Sequence, residues 1–251
     1  NKTFLVSVLF LGFQLSYGQN SSRVITTGVP FLLITPDARA AGMGELGVAT
    51  SADAYSQQWN PAKYAFSPSA KGLGLSYTPY LSKLVDDIFL GNLTYFKQIG
   101  DRGAWATSLK YFSLGEIDIL ENPLDIPVVE SPNEFTIDAG YGLKLSDNFS
   151  MGITGRFLLS DVKLQSFNSE TEVATSFAVD ISGFFQSNTF QLGDNDAIYR
   201  AGFNISNLGP KMKYSELGEE NFIPSNLRLG NGIEFIYDSN NSLVLSIEIN
   251  K

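Results

Sequence analysis

The chain has 251 residues, 43% of them hydrophobic, and carries 17 Lys and Arg against 26 Asp and Glu, a formal net charge of −9. This acidic balance argues against a nucleic-acid partner, because binding the phosphate backbone requires a cationic surface. The absence of Cys and His excludes disulfides, thiolate nucleophiles, histidine general bases and structural zinc sites. No motif marks another catalytic, cofactor or metal site, so we predict none.

The first segment, residues 1–18, has the pattern of a secretory signal peptide. Lys2 supplies a positive charge, residues 4–13 are almost wholly apolar, and Ser16 and Gly18 are the small residues of a cleavage site. The apolar run is too short for a membrane-spanning helix, which requires roughly 20 apolar residues. We therefore predict that the signal peptide is cleaved and that the mature chain is exported.

The next segment, residues 19–70, lacks a clean alternation of apolar and polar residues. Its glycines Gly42, Gly44 and Gly47 have the spacing of the dinucleotide-binding fingerprint. That fingerprint also requires a strand directly before the glycines and a βαβ unit around them. Pro36 interrupts the preceding apolar run and no βαβ pattern follows. We expect these glycines to allow close backbone packing instead.

From about Gly72 onward, apolar residues alternate with polar or small residues. Side chains of a strand point alternately to its two faces, so this pattern predicts strands with one apolar and one polar face. We count about nine such segments, several of them near the ten-residue length of strands that cross a membrane at a tilt. The segments start at approximately Gly72, Ile88, Ala104, Glu134, Phe149, Val173, Ile198, Asn226 and Ser242.

The connections between these segments alternate between tight turns and long links. The turns are rich in Asp, Asn and Gly and lie at residues 100–103, 146–148 and 238–241. The long links are residues 78–87, 114–133, 162–172 and 209–225, and residues 187–197 are intermediate. Short turns on one side and long loops on the other are typical of outer-membrane barrels. We therefore predict an all-β fold, a transmembrane antiparallel β-barrel, over the alternative of a soluble β-sandwich.

The polar faces of these segments carry charges of both signs. With the apolar faces in lipid, these charges must point into the lumen, because a charge facing hydrocarbon costs a few kcal/mol. We expect them to pair with one another and with residues 19–70; a path for a charged substrate is the alternative. These residues are Glu134, Asp138, Lys144, Arg156, Asp180, Arg200, Arg228, Glu234 and Glu248.

Several stretches resemble the PorV family of the type IX secretion system, within the wider group of FadL-like barrels. The most specific are Pro-Asp-Ala-Arg at 36–39, Gly-Met-Gly-Glu at 42–45 and Trp-Asn-Pro-Ala-Lys-Tyr-Ala-Phe at 59–66, and the likeness continues at 76–79, 109–115 and 133–141. The resemblance implies a lumen filled by an N-terminal hatch, residues 19–70. The structural hatch motif is then Asp53, Trp59, Asn60, Pro61 and Ala62.

The resemblance also implies a barrel of about fourteen strands, formed here by residues 71–251, whereas the alternation supplies about nine. A closed bacterial barrel normally has an even number of strands. The chain stops at Lys251, without the aromatic residue that usually ends an outer-membrane protein. We expect that strands are missing at the C-terminus.

The function implied by the resemblance is non-enzymatic and located in the bacterial outer membrane. Proteins of this family bind cargo through its C-terminal secretion domain at the translocon barrel and pass it to the cell-surface attachment complex. The expected partners are these proteins and outer-membrane lipid, with no cofactor. A FadL-like channel for small hydrophobic molecules is the alternative. Lipid-modifying activity is a third possibility, which the lack of His and Cys disfavours.

One long link, residues 114–133, contains an apolar patch in an otherwise polar sequence. The patch is Ile126-Pro127-Val128-Val129. Exposed apolar residues of this kind often mark protein contacts. We predict that these four residues contact cargo or the translocon.

Overall fold

The computed structural model describes residues 27–120, 126–162, 173–214 and 220–251. The predicted signal peptide lies outside these residues, as do the first eight residues of the predicted hatch. No helix in the described ranges is long and apolar enough to cross a membrane. Four short helical segments precede the sheet: Pro30–Leu33, Ala38–Gly42, Ser56–Trp59 and Pro61–Phe66.

The predicted all-β, antiparallel architecture is confirmed, and most of the strands belong to one ten-stranded sheet. Its strands are β1 (Lys71–Pro79), β2 (Ile88–Ile99), β3 (Gly103–Leu114), β6 (Asn133–Lys144), β7 (Phe149–Asp161), β8 (Ala174–Gln186), β9 (Phe190–Leu192), β10 (Asn195–Leu208), β11 (Asn226–Ile236) and β12 (Ser242–Asn250). The remaining two, β4 (Ile117–Ile119) and β5 (Val128–Glu130), form a separate ribbon. Among the described residues, β1 pairs with β2 alone and β12 with β11 alone, so each of these two strands has one unpaired edge.

The sheet follows the chain as a meander, in the order β1-β2-β3-β6-β7-β8-β10-β11-β12, with β9 paired to β10. Short connections therefore join the strands at one end, called here the turn side, and long ones at the other end, the link side. The intermediate connection at 187–197 contains β9, which pairs with the start of β10 around Gly193 in the left-handed region (φ 66°). Strand β10 accordingly begins at Asn195, earlier than the alternation at Ile198 predicts.

The two faces of the sheet have opposite chemistry. On β6, Ile137 and Tyr141 are exposed on the outer face, whereas Asp138 between them is fully buried on the inner face. Aromatic rings group near both ends of the outer face: Tyr77 packs on Phe89 (5.0 Å between centroids) toward the link side. A sheet with exposed apolar residues and buried charges suits hydrocarbon outside and a filled interior, the reverse of a soluble protein.

The interior is filled by the N-terminal segment, defined here as residues 27–70. Toward the link side, Phe31 stacks on Phe112 of β3 at 6.0 Å within an apolar cluster. Toward the turn side, Tyr64 stacks on Phe96 of β2 at 4.5 Å in a second cluster. Apolar contacts thus hold this segment at both ends, with polar contacts between them.

A charge on the outer face tests whether this face meets lipid. We expect Ile137→Arg to lower the free energy of unfolding in phospholipid vesicles by about 2–4 kcal/mol, the cost of a lipid-facing arginine near the bilayer centre. Reversible urea unfolding measures this. Leu84→Arg, in the exposed link between β1 and β2, is the control and should change stability by about 0.5 kcal/mol or less. Equal effects of the two variants would contradict a membrane-facing surface.

Candidate functional site

The first half of the N-terminal segment is organised around Asp37 and Trp59. One oxygen of Asp37 accepts the backbone N–H of Ala40 at 2.8 Å and caps the helix Ala38–Gly42. Its other oxygen accepts the indole N–H of Trp59 at 2.8 Å. A single buried carboxylate thereby joins the helix Ala38–Gly42 to the Trp-Asn-Pro-Ala stretch.

The three glycines of this region have different roles. A Cβ at Gly47 would lie 2.3 Å from the ring of Trp59, so this glycine permits the close packing expected from the sequence. Gly44 instead occupies the left-handed region (φ 73°), which favours glycine in a turn. A Cβ at Gly42 would meet nothing within 4 Å, so the expectation of close packing is wrong for Gly42 and Gly44.

Asp53 holds the turn before the helix Ser56–Trp59. Its carboxylate accepts the backbone N–H of Tyr55 at 3.0 Å and pairs with the guanidinium of Arg39. Burial raises the pKa of Asp53, but the charge of Lys63 and the contacts with Arg39 outweigh burial and hold this pKa below its ordinary value. Asp53 is therefore ionised at neutral pH and acts as an anchor of the segment.

Asn60 links the N-terminal segment to the wall of the sheet. Its side-chain amide donates to the backbone oxygen of Val48 at 2.8 Å and to that of Gly183 on β8 at 3.0 Å. Its oxygen accepts the N–H of Ala62 at 3.1 Å, which caps the helix Pro61–Phe66. Pro61 occupies the first helical position, where its missing N–H has no cost.

The wall, meaning the inner face of the sheet, approaches the helix Pro61–Phe66 closely because glycines of β6 and β7 lie at the contact. The hydroxyl of Ser150 on β7 donates to the backbone oxygen of Ala62 at 2.8 Å. A Cβ at Gly142 would lie 2.9 Å from the backbone oxygen of Pro61, and one at Gly152 would lie 2.8 Å from the nitrogen of Ala62. Pro61 and Ala62 thus fit a recess that larger wall residues would fill.

Lys63 is fully buried within the segment, and sequence reasoning did not single it out. Its ammonium donates to the backbone oxygen of Gly47 at 2.7 Å and to the hydroxyl of Thr50 at 3.1 Å. Burial lowers the pKa of Lys63 to about 8, although the negative charge of Asp53 opposes this shift. The lysine connects the Gly-rich turn, defined here as residues 42–47, to the helix Pro61–Phe66.

A second link between segment and wall involves β11 and β12. One oxygen of Glu248 accepts the backbone N–H groups of Gly47 at 2.9 Å and Val48 at 3.0 Å. Its other oxygen pairs with Arg228 at 3.1 Å, and Arg228 also donates to the backbone oxygen of Glu45 at 3.2 Å. The ion pair of Glu248 and Arg228 therefore binds the backbone at and directly after the Gly-rich turn.

The middle of the inner face contains a buried charge network. Arg156 on β7 lies between Asp138 on β6 and Asp180 on β8, with N···O distances of 2.8 and 3.1 Å. Arg156 also donates to the side chain of Asn207. Lys110 on β3, which was not among the predicted lumen charges, is buried beside this network and donates to Gln58 of the N-terminal segment.

The remaining predicted lumen charges are also partnered. Arg200 pairs with Glu234 at 2.7 Å, and the ammonium of Lys144 lies 4.7 Å from the ring centroid of Phe66. The carboxylate of Glu134 accepts the hydroxyl of Ser160 at 2.7 Å. This pairing gives the inner face a structural role and disfavours the alternative of a path for a charged substrate.

The apolar patch of the long link is exposed at the link side. Ile126 is 90% exposed, and Pro127, Val128 and Val129 are also exposed, the last two on strand β5 of the ribbon. The ribbon is anchored at its base, where the backbone N–H of Glu116 donates to Asp87 at 2.7 Å.

The neighbouring link between β1 and β2 adds further exposed apolar residues to this side of the molecule. Leu84 is 80% exposed, and Tyr80, Leu81 and Val85 are also exposed. Residues 80–87 mix apolar and charged side chains, so no continuous apolar run marks this exposed patch in the sequence. Within the described ranges, no group of three or more acidic residues could hold a metal ion.

Comparison with known proteins gives one family. A family model described as "Type IX secretion system protein PorV" matches residues 17–251, which include the N-terminal segment and every strand. No curated protein matches the chain. The family match therefore covers both the residues that fill the interior and the wall that surrounds them.

Removing the Asn60 amide tests the link between segment and wall. We expect Asn60→Ala to destabilise the docked segment by about 1–3 kcal/mol, because two buried carbonyl oxygens lose a donor. Hydrogen exchange of residues 45–66 should accelerate, while exchange in the strands changes little. Asn240→Ala, in the exposed turn between β11 and β12, serves as control. Unchanged protection in Asn60→Ala would refute this role.

Removing the Arg156 guanidinium tests the buried network. We expect Arg156→Met to lower the free energy of unfolding by about 3–5 kcal/mol, because two buried carboxylates lose their counter-ion. Adding Asp138→Asn and Asp180→Asn should restore most of the loss in denaturant titrations. Arg39→Met, which removes a half-exposed ion pair, should cost about 1 kcal/mol or less. Equal costs for the two arginines would contradict the importance of burial.

Proposed function

Because the chain belongs to the PorV family and is an outer-membrane component of the type IX secretion system, we propose that it binds exported cargo at the translocon barrel. On this proposal it recognises the C-terminal secretion domain of the cargo. It then passes the cargo to the attachment complex at the cell surface. Residues 71–251 act as the membrane barrel in this scheme, and residues 19–70 as its hatch.

The observation that carries this proposal is the exposed apolar patch on the ribbon of β4 and β5. A two-stranded ribbon outside the main sheet has little stability of its own. Exposed apolar residues such as Ile126 and Val128 gain free energy when a partner covers them. A protein surface on the link side is therefore a better candidate for binding than the filled interior.

The contacts of the N-terminal segment support the same assignment. The segment is held by apolar clusters at both ends and by Asn60, Glu248 and Lys110 between them. A solute crossing the lumen would have to break these contacts. A non-enzymatic role in protein transport requires no such opening, so it fits the packed interior better than a channel for small hydrophobic molecules does.

Replacing the apolar patch tests the proposal directly. We expect the change of Ile126-Pro127-Val128-Val129 to Ser-Gly-Ser-Ser to weaken capture of cargo or translocon about tenfold or more, as loss of a central interface patch does. The measurement is a mild-detergent pull-down of the tagged full-length protein from its own outer membrane, quantified by mass spectrometry. Phe190→Ser/Leu192→Ser, which removes exposed apolar residues on the turn side, is the matched control.

The possible results separate the two candidate functions. Recovery of a large translocon barrel, or of exported proteins that share a C-terminal domain, supports the secretion role. Undiminished recovery with the altered patch would refute the patch as the contact. Recovery of this protein alone, with a fatty acid or another apolar ligand inside, would favour the channel.

A further inference from the structure

Two lysines lie directly opposite each other on the outer face of the sheet. Lys71, the first residue of β1, is the register partner of Lys97 on β2, and both are exposed. Like charges at directly opposed positions of two strands destabilise a sheet. Neither ammonium has an ion-pair or hydrogen-bond partner in the described part of the chain. Within the described residues, the pair therefore has no counter-ion.

The position of this pair is at the edge of the apolar surface. Lys97 lies three residues before Gly100, where the turn between β2 and β3 begins. Short turns of outer-membrane barrels face the periplasm. In an outer membrane the stems of Lys71 and Lys97 would therefore lie beside acyl chains, with their ammonium groups at the head groups of the periplasmic leaflet.

An aromatic pair borders the two lysines. Trp105 on β3 is the register partner of Lys97, and its ring packs against Tyr95 at 5.4 Å between centroids. The indole N–H of Trp105 has no acceptor among the described residues. A tryptophan at this depth normally directs its N–H toward a head group. It adds a third donor beside the two ammonium groups.

A groove of about 560 Å³ begins at Trp105 and runs away from the turn side across β3, β6 and β7. Its floor is made of the small residues Thr107, Ala139 and Gly155, which are register partners on the outer face. A Cβ at Gly155 would meet no atom within 4 Å, so the groove is open at this point. The groove is apolar and leads toward the centre of the bilayer.

We propose that this surface is a binding site for one glycerophospholipid of the periplasmic leaflet. Its phosphate lies between Lys71 and Lys97 and accepts the indole N–H of Trp105, and one acyl chain fills the groove. The two cations, which have no partner among the described residues, suit an anion, and the apolar groove beside them suits a hydrocarbon chain. A phospholipid provides both in one molecule, with the phosphate at the interface and the chain in the bilayer.

The site adjoins the point where the N-terminal segment leaves the interior. The backbone N–H of Gln98 donates to the oxygen of Ala70 at 2.8 Å, and its side chain donates to the oxygen of Ser67 at 2.9 Å. A phosphate bridging Lys71 and Lys97 would hold β1 to β2 next to these contacts. The lipid would thereby fix the exit of the segment at the membrane surface.

Native mass spectrometry of the full chain in mild detergent tests the site. The probes are a phosphatidylglycerol and a diacylglycerol with the same acyl chains, which lacks the phosphate. We expect one tightly bound phosphatidylglycerol and about thirtyfold weaker binding to Lys71→Gln/Lys97→Gln, since the two lysines together contribute about 2 kcal/mol to binding an anionic lipid. Lys83→Gln/Lys213→Gln, which removes the same charge on the link side, should bind as the unaltered protein does.

Two further variants separate recognition from misfolding. Lys71→Arg/Lys97→Arg keeps the charge and should retain the lipid, and Gly155→Leu fills the groove and should weaken binding while both lysines remain. Circular dichroism checks that each variant keeps its strands. Equal binding of diacylglycerol and phosphatidylglycerol would overturn the proposal, as would full retention of lipid by Lys71→Gln/Lys97→Gln.

Discussion

The structure depends on one constraint: a sheet with an apolar outer face must place its polar side chains inside. On β6 and β7 this brings Asp138 and Arg156 into a fully buried position. A buried charge is tolerable only with a counter-ion and hydrogen bonds. The interior therefore needs complementary polar groups, which come from neighbouring strands and from the N-terminal segment. Sheet and segment each supply the partners that the other one lacks.

The N-terminal segment meets this need mainly through its backbone. Its helices have at most six residues, so their ends leave many N–H and C=O groups without partners inside the helix. Asp37 and Asn60 accept two of these helix-end N–H groups, those of Ala40 and Ala62. Glu248 and Asn60 satisfy the N–H and C=O groups of Val48 between the helices. The apolar clusters at the two ends of the segment also fix its orientation relative to the sheet. The segment is thus irregular in conformation yet specified in position, because each of its turns has a partner in the wall or in the segment itself.

The strands could be predicted from the sequence because a period of two is a local property. Every second residue of a strand faces the same side, so the same alternation identified the inward charges. Applied to β3, it would also have identified Lys110. The pairing of Arg156 with both Asp138 and Asp180 could not be predicted, since it requires the register of three strands. The contacts of Asn60 with Val48 and Gly183 are equally non-local. The ribbon of β4 and β5 was missed because three-residue strands show too little alternation.

A covered and internally paired inner face leaves the two rims of the sheet, its link side and its turn side, as the surfaces where binding can occur. The link side exposes apolar residues on a weakly supported ribbon, which suits adaptable contacts with proteins. The turn side of β1 and β2 instead presents two lysines at opposed positions of regular strands, which suits an anion that bridges them. Because the paired interior separates these rims, a partner on the link side does not need to compete with a lipid on the turn side. Both rims can therefore be occupied while the N-terminal segment stays in place.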